Sequence, residues 1–197
     1  IIPLAKDLDV GVSHGWEYLE GPFVATSSDN NVLEHIDYEC AFDVYKRIVE
    51  KDSGLKFSKD NFFELAKSYP LGIVSYNGEV IVRDPIARDG KSLILVGVIP
   101  QNSVIQVLKG DKSKLIEAAK LAAINAMENK KELEIAIMID CISRVLFLED
   151  SFIKEIDSVR DIIGDLPLVG ALTLGEVANK SDRYIDFYNK TCVVGTL

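Results

Sequence analysis

The sequence has few of the residues on which redox and metal chemistry depend. It has three cysteines, Cys40, Cys141 and Cys192, none in a Cys-x-x-Cys spacing, and two histidines, His14 and His35. An odd number of unpaired cysteines indicates neither a disulfide framework nor a zinc knuckle, and it favours a reducing compartment. The histidine positions match no usual metal site. We therefore expect no metal and no cofactor.

The chain also lacks a basic excess and a long apolar run. Its 31 acidic and 22 basic residues give a formal net charge of −9. Nucleic acids and anionic membranes are bound by neutralising phosphates with Lys and Arg, so we expect neither as a partner. Apolar runs such as Leu93–Ile99 have strand length, short of the roughly 20 residues of a membrane span. Without a secretory signal or an initiator methionine, the chain is interpreted as a cytoplasmic fragment of a longer protein.

The sequence contains enough apolar residues for a folded core, since 48% of the 197 residues are hydrophobic. The first apolar runs alternate with turn residues and predict three strands, the last two joined by Asp29–Asn31. A helical period starts at Cys40 and ends at Gly54. Ser58 is the expected N-cap of a short second helix, which must stop before Pro70.

The middle of the chain predicts strands followed by a helix. Asn77-Gly78 predicts a two-residue hairpin turn, because Asn and Gly best tolerate the positive φ angles that such a turn needs. Further strands are expected at 93–99 and 104–108, and the whole section is interpreted as an antiparallel meander. Residues 114–128 are rich in alanine and predict a helix that packs closely on a sheet.

The last third predicts a central strand at Glu134–Ile139 and a helix from Phe152 that ends at Gly164. We expect Leu168–Leu174 and Ile185–Val194 to form an antiparallel pair, separated by a polar loop at 178–183. Together these elements predict an α+β fold, a mainly antiparallel mixed sheet covered by about four helices.

Two glycines near the end have the spacing of a phosphate-binding P-loop. However, Gly170-x-x-x-x-Gly175 is followed by Glu176 and Val177, where a P-loop requires Lys and then Ser or Thr. An acid there would repel phosphate, so we do not expect nucleotide binding. The alternative is that both glycines allow close approach of the backbone in a crowded sheet.

Cys141 follows a predicted buried strand, with Arg144 three residues later. Arg144 could favour a thiolate and make Cys141 a nucleophile, although both histidines lie near the start of the chain. The alternative is a small buried or pocket-lining residue. Arg83, Arg144 and Glu176 all fall near predicted strand ends, so they could converge on a ligand that carries a carboxylate and an amine. An internal Arg–Glu ion pair is the competing interpretation.

Several short motifs, in this order and at these separations, resemble the C-terminal region of the FIST family. They are Pro70-Leu-Gly72, Val82-Arg83, Cys141-x-x-Arg144, Gly170-x-x-x-x-Gly175-Glu176 and Asn189-x-Thr191. The resemblance covers roughly residues 40–197 and implies a FIST C-terminal sensory domain there. Residues 1–39 resemble the tail of the family's N-terminal region. One departure is Ala171-Leu-Thr-Leu174, where the family often has an aromatic-rich segment, so the ligand preference can differ.

The resemblance implies the sensory domain of an intracellular signal transduction protein. Such a domain binds a small ligand, such as an amino acid, and reports to fused or associated signalling output domains; enzymatic activity is not implied. The ligand-binding positions expected from the motifs are Arg83, Cys141, Arg144, Gly175, Glu176, Asn189 and Thr191. Two alternatives stay open, a cysteine-dependent hydrolase or transferase using Cys141, and a scaffold that binds a partner peptide along an open edge strand.

Overall fold

The computed structural model describes residues 8–76, 78–128, 133–181 and 184–197. They form two compact units, one of residues 16–110 and the other of residues 111–197 with the segment before Trp16. The strands are β1 (Asp9–Ser13), β2 (Glu17–Asp29), β3 (Val32–Ile36), β4 (Glu39–Cys40), β5 (Leu71–Val74), β6 (Val80–Arg83), β7 (Pro85–Asp89), β8 (Ser92–Leu95), β9 (Val104–Lys109), β10 (Ala136–Cys141), β11 (Leu168–Thr173), β12 (Glu176–Ser181), β13 (Tyr184–Tyr188) and β14 (Cys192–Thr196). The helices are α1 (Ala41–Ser53), α2 (Phe62–Ala66), α3 (Lys112–Ala126), α4 (Ile142–Leu148) and α5 (Phe152–Ile163).

The unit of residues 16–110 contains an antiparallel sheet with the order β6-β5-β9-β2-β3-β8-β7, in which β4 also pairs with β3. Helix α1 forms because apolar residues recur at helical spacing, and Gly54 ends it in the left-handed conformation, as predicted. Its buried face packs with sheet residues and α2 into one apolar cluster. Four aromatic residues contribute to this cluster, Phe42, Tyr45, Phe57 and Phe62.

Three predictions for this unit need correction. The meander is wrong, because β9 lies between β2 and β5 while β8 pairs with β3 and β7. Ser58 does not cap α2; Asn61 precedes the helix, and its Oδ1 accepts a hydrogen bond from the Ser58 N–H at 2.6 Å. Strands β5 and β6 do form the expected hairpin, but the paired ends are Val74 and Val80, so the connection exceeds two residues. Asn77 lies outside the described residues.

In the other unit the sheet order is β1-β14-β10-β11, and β12 and β13 form a separate hairpin. Strand β10 is central, as predicted, and β11 runs parallel to it. The alanine-rich face of α3 packs with α5 and β10 in an apolar cluster. Helix α3 begins at Lys112 rather than at residue 114, because the Oδ1 atom of Asp111 accepts the N–H groups of Ser113 and Lys114 at 2.8 and 3.1 Å.

The predicted final strand pair is wrong. Strand β11 pairs with β10, while β14 pairs with β1 and β10. The expected polar loop at 178–183 belongs to β12 as far as Ser181, and residues 182 and 183 lie outside the described part. Helix α4 was not predicted. An apolar residue pattern shows that a strand is buried but does not say which strand pairs with it.

The fold class is confirmed. The molecule is α+β with mainly antiparallel sheets, and the described residues include four helices of seven or more residues besides the shorter α2. None of the described helices has both the length and the apolar character needed to cross a membrane. The division into two compact units does not test the expected boundary at residue 40 between the two family regions. That boundary stays a prediction.

Candidate functional site

The carboxyl end of β10 brings charged side chains into the interior of its unit. Asp140 and Cys141 are the last residues of the strand, and the chain turns directly into α4. Arg144 therefore lies one helical turn beyond Asp140, the spacing at which two side chains meet. Both residues are at most 1% exposed. A short strand-to-helix connection thus places an acid and a base side by side without solvent.

Arg144 is held by two carboxylates and by backbone carbonyl groups. Its Nε lies 3.1 Å from Asp140 Oδ1 and 3.0 Å from Glu155 Oε1, and its Nη2 also contacts Glu155 Oε1. The other donations go to the carbonyl oxygens of His14, Leu115 and Lys190. Burial alone would lower the pKa of Arg144, but the carboxylates of Glu155 and Asp140 raise it, so the side chain stays charged. All three guanidinium nitrogens are engaged within the unit.

The two carboxyl groups around Arg144 are only half satisfied. Asp140 Oδ1 also accepts the Cys141 N–H at 3.1 Å, whereas Asp140 Oδ2 and Glu155 Oε2 have no hydrogen-bond partner among the described residues. Burial raises the pKa of both acids against the opposing effect of Arg144, and that of Asp140 lies well above its ordinary value. The pair forms an ion-pair network with Arg144 in an environment that disfavours charge.

Cys192 completes a set of atoms that resembles a metal site in composition. One ligand atom each of Cys192, Asp140 and Glu155 lies within 4.8 Å of the others. A metal needs a thiolate, yet burial raises the pKa of the Cys192 thiol well above its ordinary value. The guanidinium of Arg144 already supplies a cation to both carboxylates. The arrangement fits an ion-pair network better than a metal centre.

Glu176, the first residue of β12, is the second buried acid of interest. It is 1% exposed, and its Oε1 accepts a hydrogen bond from Thr173 Oγ1 at 2.8 Å. Its Oε2 has no hydrogen-bond partner in the described part of the chain. Burial raises the pKa of Glu176 to about 7, although hydrogen bonds from Thr173 and Cys141 to the carboxyl group oppose the rise. Near neutral pH this acid is therefore poised between its charged and neutral forms.

Asn189 lies beside Glu176 in the same interior. It is fully buried, and its Nδ2 donates to the carbonyl oxygen of Leu174 at 3.4 Å. Its Oδ1 finds no partner among the residues that the structure describes. Thr191 Oγ1 donates to the Asn189 carbonyl oxygen at 2.8 Å, and the Thr191 N–H lowers the pKa of Glu176. Glu176 and Asn189 thus offer two buried acceptor oxygens that no described residue satisfies.

The two glycines of the Gly-x-x-x-x-Gly motif serve packing. A Cβ atom at Gly170 would lie 2.2 Å from the carbonyl oxygen of Met138, on the neighbouring strand β10. A Cβ atom at Gly175 would lie 2.3 Å from the ring of Phe187 and 3.1 Å from Asn189 Nδ2. At Gly170 the neighbour is backbone, so the close-approach interpretation accounts for this position. At Gly175 the nearest neighbour is the end of a side chain rather than backbone.

The structure brings five of the expected ligand-binding residues into one region, namely Cys141, Gly175, Glu176, Asn189 and Thr191. Arg144 joins the ion-pair network beside them. Arg83 belongs to the other unit, where it donates from Nε to the Val98 carbonyl oxygen at 2.8 Å and from Nη1 to that of Val82 at 2.9 Å. Whether these residues bind a ligand stays a prediction.

Sequence reasoning missed Asp140 and Glu155. The spacing Asp140-x-x-x-Arg144 could have indicated an ion pair if α4 had been recognised as a helix. Glu155 follows Phe152 by three residues and precedes Val159 by four, which places it on the apolar face of α5. A charged residue on an otherwise apolar helical face needs a buried partner. That pattern could have marked Glu155 before its partner was known.

One of the three comparisons with known proteins identifies a family. The family model of the FIST C domain matches residues 41–179, more than half of the chain. FIST C domains are sensory domains of signal transduction proteins. Neither the comparison with curated proteins nor the comparison with solved structures gave a match. On the strength of the matched region, which includes β10, α4 and most of β12, the chain belongs to the FIST C domain family.

Proposed function

We propose that the chain senses a small ligand with an amino group, such as an amino acid, which it binds around Glu176. The observation that supports this most directly is the pair of open acceptors, Glu176 Oε2 and Asn189 Oδ1. A buried acceptor without a partner costs about 1–3 kcal/mol. An ammonium group carries three donors and a positive charge, so it would satisfy both oxygens and favour the ionised form of Glu176.

The neighbouring residues have distinct roles in this proposal. Cys141 and Thr191 hold the Glu176 carboxyl group in place, and Gly175 leaves room for the Phe187 ring beside Asn189. Arg144 acts as a positioning residue, because its guanidinium is already engaged and one of its partners is the carbonyl group of Lys190, between Asn189 and Thr191. Arg83 lies in the other unit and is not part of the proposed site.

We propose no enzymatic activity. Cys141 lies near a carboxyl group that could accept its proton, but the Arg144 guanidinium that could favour a thiolate is already engaged by two carboxylates and three carbonyl groups. The cysteine-dependent alternative predicts a turnover that Cys141→Ser abolishes and Cys40→Ser leaves intact. We further propose that the domain works in the cytoplasm and reports to fused or associated signalling output domains, as its family membership favours.

The direct test is calorimetric titration of the twenty amino acids into the protein at pH 6 and pH 8. We expect at least one to bind, and more tightly at pH 8, because Glu176 must be ionised to pair with an ammonium group. Glu176→Gln should weaken this ligand at least tenfold at pH 8. The matched control is Glu117→Gln, on the exposed face of α3, which should bind like the wild type. Equal binding by Glu176→Gln and the wild type would refute the site.

A further inference from the structure

A groove of about 290 Å³ opens between α5 and the parallel strands β10 and β11. Ten residues line it, namely Met138, Asp140, Phe152, Ile156, Arg160, Leu168, Val169, Gly170, Ala171 and Leu172. Its walls are mostly apolar. Among these ten residues Asp140 is the acidic one and Arg160 the basic one. None of the five residues grouped around Glu176 lines it, so the groove and that site share no residue.

The acid and the base occupy opposite ends of the groove. Asp140 is paired with Leu172, at the carboxyl ends of β10 and β11. Only residues 164–167 connect α5 to β11, so the last turn of α5, which carries Arg160, lies near the amino end of β11. Phe152, at the start of α5, is eight residues from Arg160, about 12 Å along the helix. The groove is therefore an apolar channel with a negative and a positive end.

Both charged groups line the groove and have unused hydrogen-bonding capacity. Asp140 is 1% exposed, and its Oδ2 has no hydrogen-bond partner in the described part of the chain. Arg160 is exposed and forms no ion pair with any residue that the structure describes. A buried carboxylate oxygen without a donor is costly, and an ammonium group would satisfy it. A carboxylate can in turn bind the guanidinium of Arg160 in bidentate fashion.

We infer that this groove binds a small molecule with an unbranched apolar chain, an ammonium group at one end that pairs with Asp140, and a carboxylate at the other that pairs with Arg160. The class is that of ω-amino acids. An α-amino acid with an uncharged side chain has its ammonium and carboxylate groups attached to the same carbon atom, so these two groups cannot reach both ends of the groove. The apolar chain lies against Met138, Ile156 and Leu168, where it displaces water from hydrocarbon surface.

The test compares four probes, namely 6-aminohexanoic acid, its isomer 2-aminohexanoic acid, hexylamine and hexanoic acid. Titrations followed by the methyl signals of Met138 and Ile156 report directly on the groove. We expect 6-aminohexanoic acid to shift both signals and to bind at least tenfold more tightly than each of the others. Failure to bind, or equal affinity for the 2-amino isomer, would overturn the inference.

Two variants test the assignment of the site. Arg160→Gln, on the surface, should reduce the affinity for 6-aminohexanoic acid to that for hexylamine. Leu172→Trp, at a position 48% exposed, should fill the groove and abolish binding, whereas the control Val177→Trp, 68% exposed on β12, should not. Glu117→Gln, at an exposed acid on α3 that does not line the groove, should leave this binding unchanged. Unchanged affinity in Arg160→Gln and Leu172→Trp would place the probe elsewhere and contradict the inference.

Discussion

The two compact units bury very different side chains. Residues 16–110 enclose a cluster of aromatic rings whose centroids lie 5.5–6.4 Å apart, and Arg83 and Asp84 are the charged residues described as buried there. The other unit buries five charged residues to 1% exposure or less, which are Asp140, Arg144, Glu155, Glu176 and Lys190. Apolar packing stabilises without further conditions, whereas buried charges cost desolvation and stabilise only when fully paired. The interior of the unit that contains Arg144 is therefore not optimised for stability alone.

Removing the central cation should disturb this arrangement most. Arg144→Met leaves Asp140 and Glu155 buried without a counter-charge, and we expect it to lower the free energy of unfolding by about 3–5 kcal/mol. Urea denaturation followed by circular dichroism measures the change. Replacing the same residue type at the surface, Arg47→Met, removes the exposed pair with Glu39 and should cost less than about 1 kcal/mol. Equal losses in both variants would contradict the contrast between the two interiors.

The pH dependence of stability should reveal the cost of burying Glu176. The pKa of this acid is 4.5 when unperturbed and about 7 in the folded protein, so the folded state holds the proton more tightly. Its contribution to stability is therefore complete below pH 4.5 and is lost as the pH rises through 7. Between these limits the wild type should lose roughly 3 kcal/mol relative to Glu176→Gln. Urea denaturation of both proteins from pH 4.5 to 8 measures the difference.

Glu117→Gln is the control for this pH series, because Glu117 is exposed on α3 and pairs only with Lys114 among the residues described. Its stability should follow that of the wild type at every pH. If the curves of the wild type and Glu176→Gln stay parallel from pH 4.5 to 8, then Glu176 does not hold its proton in the folded state. The proposed dependence of amine binding on pH would then lose its physical basis.

Local sequence patterns predicted the elements of both units better than the connections between them. Helix α1, with Gly54 at its end, and helix α5, with Gly164 after it, follow from apolar spacing and a terminating glycine. The position of β9 between β2 and β5 could not be predicted, because strand pairing depends on contacts remote in sequence. The parallel pairing of β11 with β10 was missed for the same reason.

The candidate site was predicted in part, and unevenly. Glu176, Cys141 and Asn189 were identified from motifs and do lie together. The partner of Arg144 was not identified, because Glu155 is eleven residues away on a different helix. The alternative of an internal Arg–Glu pair named the right chemistry, but the acid in the structure is Glu155 rather than Glu176. Sequence spacing indicates which residue types are present, whereas the pairing of charges depends on the tertiary fold.

In the aromatic unit, a single buried polar group should have a moderate effect. Tyr45 is fully buried, and its hydroxyl donates to the carbonyl oxygen of Tyr69 at 2.7 Å. Tyr45→Phe removes this hydrogen bond and keeps the ring in its cluster, so we expect a loss of about 1–2 kcal/mol in urea denaturation. Tyr38→Phe, at a position 89% exposed, should be neutral. If Tyr45→Phe lowered the free energy of unfolding as much as Arg144→Met, the two units would not differ in their sensitivity to the loss of a buried polar group.

The smallest effect concerns an exposed acid in the charged unit. Asp111 caps α3 by accepting the N–H groups of Ser113 and Lys114, and it lies in water rather than in the buried network. Asp111→Ala should therefore cost only about 1 kcal/mol, the usual value of an N-cap, and Asp111→Asn should restore most of it because the amide oxygen can accept the same bonds. Urea denaturation of both variants measures this. A loss near that of Arg144→Met would mean that the stability of this unit depends on its exposed charges as strongly as on its buried ones. A loss of about 1 kcal/mol would instead mean that the strong dependence is limited to the buried acids and the guanidinium of Arg144.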